Sequence, residues 1–160
     1  MESLKPGMTE AYHQVEVSRS IDPLDDEPDE PAITEAVECV LNALERPASE
    51  VSVRLVSIAE IAELNETYRS KDSATNVLSF PADLCIEQLE ILGDVIICTP
   101  VVAQEAQEFG RSYPDRFRHM LVHGVLHLLG YDHMEEKERG EMETLEIRLL
   151  SQLGVENPYE

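Results

Sequence analysis

A run of eleven residues with three histidines at fixed intervals constrains the fold more than any other feature of the sequence. Residues 123–133 read HGVLHLLGYDH. His123 and His127 are four residues apart, so they lie on the same face of a helix. Gly130 can adopt the left-handed backbone conformation that ends a helix and turns the chain back. The spacing predicts a helix that ends at Gly130, with His123, His127 and His133 directed at one point.

Three imidazoles directed at one point are a typical ligand set for a metal ion. They leave the fourth tetrahedral position open, as catalytic zinc requires, whereas a structural site is closed by four protein ligands, often cysteines. Purely structural histidines are the alternative. The neighbouring residues are mostly apolar, however, and burying several titratable rings without a shared partner costs free energy. We therefore predict one Zn²⁺ per chain, held by His123, His127 and His133.

The spacing H-x-x-x-H-x-x-G-x-x-H is also that of the metzincin zinc proteases. Those enzymes have a glutamate directly after the first histidine, where it acts as the general base. Here that position is Gly124, which cannot transfer a proton. A zinc metallopeptidase is therefore the alternative function, and it would need a carboxylate from outside the motif.

Hydrophobic periodicity predicts strands mixed with helices over the rest of the chain. We expect strands over residues 12–18, 51–55, 77–80 (ended by Pro81) and 94–98. We expect helices over residues 33–44, 57–68, 99–110, 115–129 and 136–152, the second opened by a capping box at Ser57 and Glu60 and the third by Thr99 as N-cap. The pattern is typical of an α+β fold, and the length of 160 residues fits a single domain spanning 1–160.

Acidic residues dominate the charge, with 33 Asp and Glu against 12 Lys and Arg and a formal net charge of −21. This charge excludes a protein that binds polyanions through a generally basic surface. Residues 22–31 (DPLDDEPDEP) contain six acids and three prolines, a composition that cannot propagate a helix or a central strand. We predict that residues 20–31 form an exposed, flexible loop and that residues 1–11 are flexible as well.

The sequence also bears on the compartment. It contains no apolar run of the roughly 20 residues that a membrane span needs, and its first residues lack the apolar region of a secretory signal. The three cysteines form no paired spacing, and an odd count suits a reducing compartment better than a disulfide framework. We predict a cytoplasmic protein with no membrane partner.

Three blocks of the sequence together resemble a known family. They are residues 64–81 (LNETYRSKDSATNVLSFP), residues 92–97 (LGDVII) and the histidine run. In this order they are similar to the YbeY-type endoribonucleases, which are bacterial ribosomal-RNA maturation factors. The resemblance covers about residues 51–153. Ser70, Ser73 and Ala74 depart from it, because the family often has Gly, a basic residue and Pro there.

The resemblance implies a small mixed β-sheet packed against about five helices, with a histidine helix like that of zinc hydrolases. It implies a zinc-dependent, single-strand-specific endoribonuclease that acts in ribosomal-RNA maturation, especially at the small-subunit 3′ end, and in ribosome quality control. The expected partners are single-stranded RNA and the ribosome or its proteins, and no DNA is expected.

By its position in the first block, Arg69 is the catalytic residue that the resemblance implies, since a guanidinium can clamp a phosphate with two hydrogen bonds. A surface salt bridge is the alternative, and Lys71 is a weaker candidate for the same role. Arg116 and Arg118 lie in a locally basic segment that we expect to line the path of the RNA. His119, one turn before His123, either supports the site or, as we expect, is merely packed. The sequence identifies no general base, so water and the RNA 2′-hydroxyl both stay open as nucleophiles.

Overall fold

A four-stranded mixed sheet lies at the centre of the structure, a computed structural model that describes residues 12–69, 75–132 and 135–160, with the backbone alone at Arg69. The strands are β1 (Gln14–Arg19), β2 (Ser49–Val56), β3 (Val77–Ile86) and β4 (Leu89–Cys98). Their order is β1-β2-β4-β3. β2 pairs in parallel with both β1 and β4, and β3 pairs antiparallel with β4.

Five helices accompany the sheet in the described part of the chain. They are α1 (Glu30–Ala43), α2 (Ile58–Arg69), α3 (Thr99–Glu108), α4 (Tyr113–Leu128) and α5 (Glu136–Gln152). The α+β fold, the small mixed sheet and the single domain are confirmed. None of the described helices is long and apolar enough to cross a membrane.

The two faces of the sheet bury two separate apolar clusters. Alternate residues of β4 face opposite sides, so Val95 and Ile97 belong to one cluster and Ile96 and Cys98 to the other. The larger cluster joins β2 and β4 to α1, α4 and α5. The smaller cluster includes Ile61 of α2. Helices therefore cover both faces, and α4 lies in the larger core.

Helix α4 lies close against the sheet at Gly124. A methyl group on Gly124 would lie 2.6 Å from Val95 Cγ1 and 3.2 Å from Val77 Cγ2. The Ser79 hydroxyl donates a hydrogen bond of 2.8 Å to the carbonyl oxygen of Gly124. The contact fixes both the height of α4 above the sheet and its rotation. The orientation of the neighbouring His123 follows from it.

Both ends of α4 are set by local sequence. The Ser112 hydroxyl accepts a hydrogen bond from the backbone N–H of Asp115, as an N-cap does. At the other end Gly130 has a φ of +96°, and the N–H of Tyr131 donates to the carbonyl of Leu126 at 3.1 Å. This is the glycine-dependent C-cap that the sequence predicts.

The prediction that Pro81 ends β3 is wrong, because the strand continues to Ile86. β3 is the edge strand of the sheet, where a proline removes no ladder hydrogen bond that the sheet needs. The pairing with β4 shifts register between Pro81 and Leu84, which accommodates the ring. β4 begins at Leu89 and not at residue 94, because the hairpin is longer than predicted. Cys98, not Thr99, is the N-cap of α3.

The acidic segment also makes contacts that its composition does not predict. Asp29 caps α1, accepting a hydrogen bond of 3.0 Å from the N–H of Ala32, so the helix begins at Glu30. The side chain of Glu27 is only 2% exposed and accepts hydrogen bonds of 2.9 Å from Arg19 and from the Tyr113 hydroxyl. The prediction of an exposed loop is therefore wrong for Glu27. The flexibility of residues 20–31 stays a prediction, and residues 1–11 lie outside the described chain.

Gly124 and Gly140 form a matched pair for testing the close approach of α4. Both are helical, but a methyl group on Gly140 would meet no atom within 4 Å. Each Gly→Ala change gains about 1 kcal/mol of helix propensity, whereas overpacking costs about 1–3 kcal/mol. We expect Gly124→Ala to be less stable than Gly140→Ala by about 1–3 kcal/mol in urea unfolding. Equal stabilities would show that α4 does not depend on this contact.

Candidate metal centre

Helix α4 brings His123 and His127 together. Their Nε2 atoms are 3.0 Å apart, with ring centroids 4.6 Å apart and ring planes at 77°. Both residues are half-buried. The four-residue spacing thus produces the pair of imidazole nitrogens that the sequence predicts on one helix face.

The separation of these nitrogens fits two positions of a zinc site. Zinc–nitrogen bonds of about 2.0–2.1 Å in a tetrahedral site place two ligand nitrogens about 3.3 Å apart, so small ring rotations would suffice. His133 lies outside the described residues. Among the residues that are described, no group of three or more His, Cys, Asp or Glu side chains has an arrangement that could hold a metal ion. The ligand roles of His123, His127 and His133 therefore stay predictions.

A buried carboxylate from α5 lies behind His123. Glu146 is 1% exposed. Its Oε2 atom is 2.6 Å from His119 Nε2, and its Oε1 atom is 3.5 Å from His123 Nδ1. The Tyr159 hydroxyl donates a hydrogen bond of 3.1 Å to Oε1. A carboxylate facing the second ring nitrogen is a common outer partner of a metal-binding histidine.

Glu146 is ionised in these surroundings. Burial works to raise its pKa, but the interactions with His119 and His123 outweigh burial and lower the pKa to about 2. Burial and the neighbouring Glu146 raise the pKa of the Tyr159 hydroxyl well above its usual range, so this group keeps its proton and acts as a donor. The Glu146 carboxylate therefore accepts hydrogen bonds from the groups around it, among them the Tyr159 hydroxyl.

The network continues outward through Arg116. The Arg116 guanidinium lies 3.3 Å from His119 Nδ1 and 3.0 Å from a carboxylate oxygen of Glu105. It also stacks over the ring of Phe109, 5.0 Å from the centroid. With a side chain only 14% exposed, Arg116 is engaged within the protein. A charge count does not show such pairing, and the expectation that Arg116 and Arg118 line an RNA path stays a prediction.

His119 is packed, as expected, being 5% exposed, but it also supports Glu146. Sequence reasoning missed Glu146 and Tyr159. The sequence does contain a signal for Glu146, because this residue lies on the same buried face of α5 as Met142, Leu149 and Leu150. A charge on a buried face needs a partner. Tyr159 had no local signal, since only the fold brings it to α5.

The structure bears directly on the peptidase alternative. The position that carries the metzincin base is Gly124, whose added carbon would overlap Val95. A glutamate side chain has no space there, because α4 is seated on the sheet at that residue. The metallopeptidase is therefore not favoured.

A groove of about 490 Å³ lies beside His127. It is bounded on one side by the end of α4 and on the other by the β3–β4 hairpin, including Leu84, Cys85 and Ile91. Arg46 lies at the groove but is paired with Glu90 at 2.7 Å. The groove gives a ligand access to His127.

Arg69 is the last residue of α2, and its side chain and the whole of Lys71 lie outside the described residues. The ring of the preceding residue, Tyr68, packs edge-on against Phe80 with centroids 5.3 Å apart. Phe80 belongs to β3, the strand that borders the groove. The end of α2 at Arg69 therefore lies near β3, on the side of the sheet that buries the smaller cluster.

Comparison with known proteins agrees with the sequence blocks. Residues 15–154 match the family model described as Endoribonuclease YbeY. A protein of that name from Pseudomonas putida (strain W619) is 56% identical over 124 residues, which cover 76% of this chain and 79% of the relative. Its namesake from Ruthia magnifica is 50% identical over 121 residues, covering 75% and 83%.

A solved structure has a similar fold. The solution structure of TM1509 from Thermotoga maritima has a TM-score of 0.61 and 28% identity, covering 88% of this chain and 89% of that one. The matched residues include β2, β3, β4, nearly all of β1 and the histidine helix α4. The two relatives are identical to this chain at half or more of the aligned positions. The chain belongs to the YbeY endoribonuclease family.

Proposed function

We propose that this protein is a zinc-dependent endoribonuclease that cleaves single-stranded RNA. The observation that carries the proposal is the His123–His127 pair, whose Nε2 atoms lie 3.0 Å apart beside an open groove. Family membership supplies the reaction class, since the relatives are named endoribonucleases.

The ion would be held by His123, His127 and His133. When bound, zinc supplies a positive charge that polarises a phosphodiester oxygen. The chain's own residues do the rest. α4 fixes the two imidazoles through its contact with the sheet, and the groove admits a stretch of RNA beside His127. Arg69 binds a non-bridging phosphate oxygen and stabilises the charge that develops there.

The geometry of the site does not distinguish one single-stranded RNA from another, but the sequence blocks do suggest a particular RNA. The sequence blocks resemble ribosomal-RNA maturation factors, so we propose ribosomal RNA as the substrate, with cleavage near the small-subunit 3′ end and a role in ribosome quality control. The proposed compartment is the cytoplasm, where the ribosome is available as a partner.

The negative charge of this protein favours recruitment to RNA through a ribosomal protein. A net charge of −21 provides no long-range attraction for RNA, and Arg116 is already paired with Glu105. The phosphate contacts therefore fall on few cations, above all Arg69 and Lys71. Binding to a ribosomal protein would supply affinity that this surface lacks.

Zinc content tests the metal proposal. Purified protein should contain about one zinc per chain, and the variant His123→Ala/His127→Ala should lose it. His13→Ala is the control, because His13 is a buried histidine bonded to Asn42 and Ser49 that has no part in the site. It should keep its zinc. Full zinc in the double variant would contradict the ligand assignment.

Cleavage tests the reaction. The zinc-loaded protein should cut a single-stranded RNA and leave casein intact, and His127→Ala should cut neither. Arg69→Ala should keep its zinc and thermal midpoint but cleave RNA about 100-fold more slowly or worse, because it loses a charge-assisted contact to the transition state.

Arg139→Ala is the matched control for Arg69→Ala, since it removes the same charge from an exposed position of α5. It should cleave like the wild type. An Arg69→Ala protein with full activity would refute the catalytic role, and a collapsed melting temperature would identify Arg69 as a structural salt bridge.

A further inference from the structure

The buried carboxylate of Glu146 faces three side chains at the site. Its two oxygens face His119 at 2.6 Å, Tyr159 at 3.1 Å and His123 at 3.5 Å. We propose that Glu146 is a positioning residue that keeps the proton of His123 on Nδ1 and so presents an unprotonated Nε2 to the metal. This inference rests on the proposed zinc site.

The outer end of the network fixes the direction of its hydrogen bonds. A guanidinium can only donate, so Arg116 donates to Nδ1 of His119, 3.3 Å away. A neutral imidazole with an accepting Nδ1 carries its proton on Nε2. His119 therefore donates from Nε2 to Glu146. Glu105, bonded to Arg116 at 3.0 Å, holds the guanidinium in place.

The inner end of the network then follows. Glu146 is an acceptor on both oxygens, and Tyr159 donates to Oε1. The ring nitrogen of His123 that faces Oε1 is Nδ1, so the favourable partner there is an N–H. The neutral ring then has its lone pair on Nε2, the atom that faces His127. This is the tautomer that metal ligation requires.

A glutamine at position 146 reverses the last step. Arg116 still forces His119 to donate, so the single amide oxygen of glutamine stays with His119. The amide NH₂ group, which only donates, then faces Nδ1 of His123. Nδ1 becomes an acceptor, the proton moves to Nε2, and the nitrogen that should bind the metal is blocked.

A purely structural role of Glu146 predicts a different result for the same substitution. If Glu146 only satisfies the buried His119, then Glu146→Gln lowers stability and leaves the metal affinity of the folded protein unchanged. Glu27 offers the matched control, since it is a carboxylate 2% exposed that accepts from a tyrosine hydroxyl and a cation, Tyr113 and Arg19. Glu27→Gln makes the same chemical change away from the histidines.

The experiment measures zinc affinity of the metal-free proteins by competition with a chromogenic chelator. Loss of an outer partner of a ligating histidine lowers metal affinity about 10- to 100-fold, and we expect this loss in Glu146→Gln alone. Glu27→Gln should bind zinc like the wild type. Wild-type affinity in folded Glu146→Gln overturns the inference while leaving the zinc site in place, whereas a wild-type protein that binds no zinc overturns the proposed function and the inference with it.

A second measurement needs neither a variant nor a metal, and it decides the matter if Glu146→Gln does not fold. Long-range ¹H–¹⁵N correlation spectra of the metal-free wild type report which ring nitrogen carries the proton. We expect His123 to be protonated on Nδ1. A proton on Nε2 would overturn the inference.

Discussion

The rest of the site depends on the close approach of α4 to the sheet at Gly124. The backbone of α4 comes so near that a single added carbon would lie 2.6 Å from Val95, and Ser79 bonds the carbonyl of the same residue. Because the interior is close-packed and resists displacement, this contact sets the height and rotation of the helix. His123 precedes Gly124 directly and His127 follows one turn from His123, so one packing contact orients both rings. It also removes the space in which a protease would place its base.

Around this helix the protein buries a charge that stability alone does not explain. Removing a carboxylate from water is expensive even when it is paired, yet Glu146 is 1% exposed. Its surroundings resolve the difficulty, since His119, Tyr159 and His123 all lie within reach of its oxygens. α5 and residue 159 are thereby joined to the histidine site. We propose that this charge sets which nitrogen of His123 carries the proton.

The sequence predicts the features that depend on local chemistry. The helix of His123 and His127 and its end at Gly130 follow from spacing and from a glycine C-cap, and α5 has the predicted bounds. The sequence does not predict the features that depend on contacts between distant parts of the chain. Pro81 stays within β3 because that strand is at the sheet edge, and Glu27 is buried because Tyr113 is opposite it. The Arg116 pairing and the Glu146 network join residues far apart in the chain, which periodicity and motif spacing do not report.

We propose that two histidines of α4, with His133, would hold a zinc ion whose fourth position is open to substrate. X-ray absorption at the zinc edge of the loaded protein tests it most directly. We expect three imidazole nitrogens at about 2.0–2.1 Å from the zinc and one further oxygen or nitrogen ligand. An anion added to the solution should displace this fourth ligand. A zinc ion closed by four protein ligands, or one with a sulfur neighbour at about 2.3 Å, would contradict the proposal.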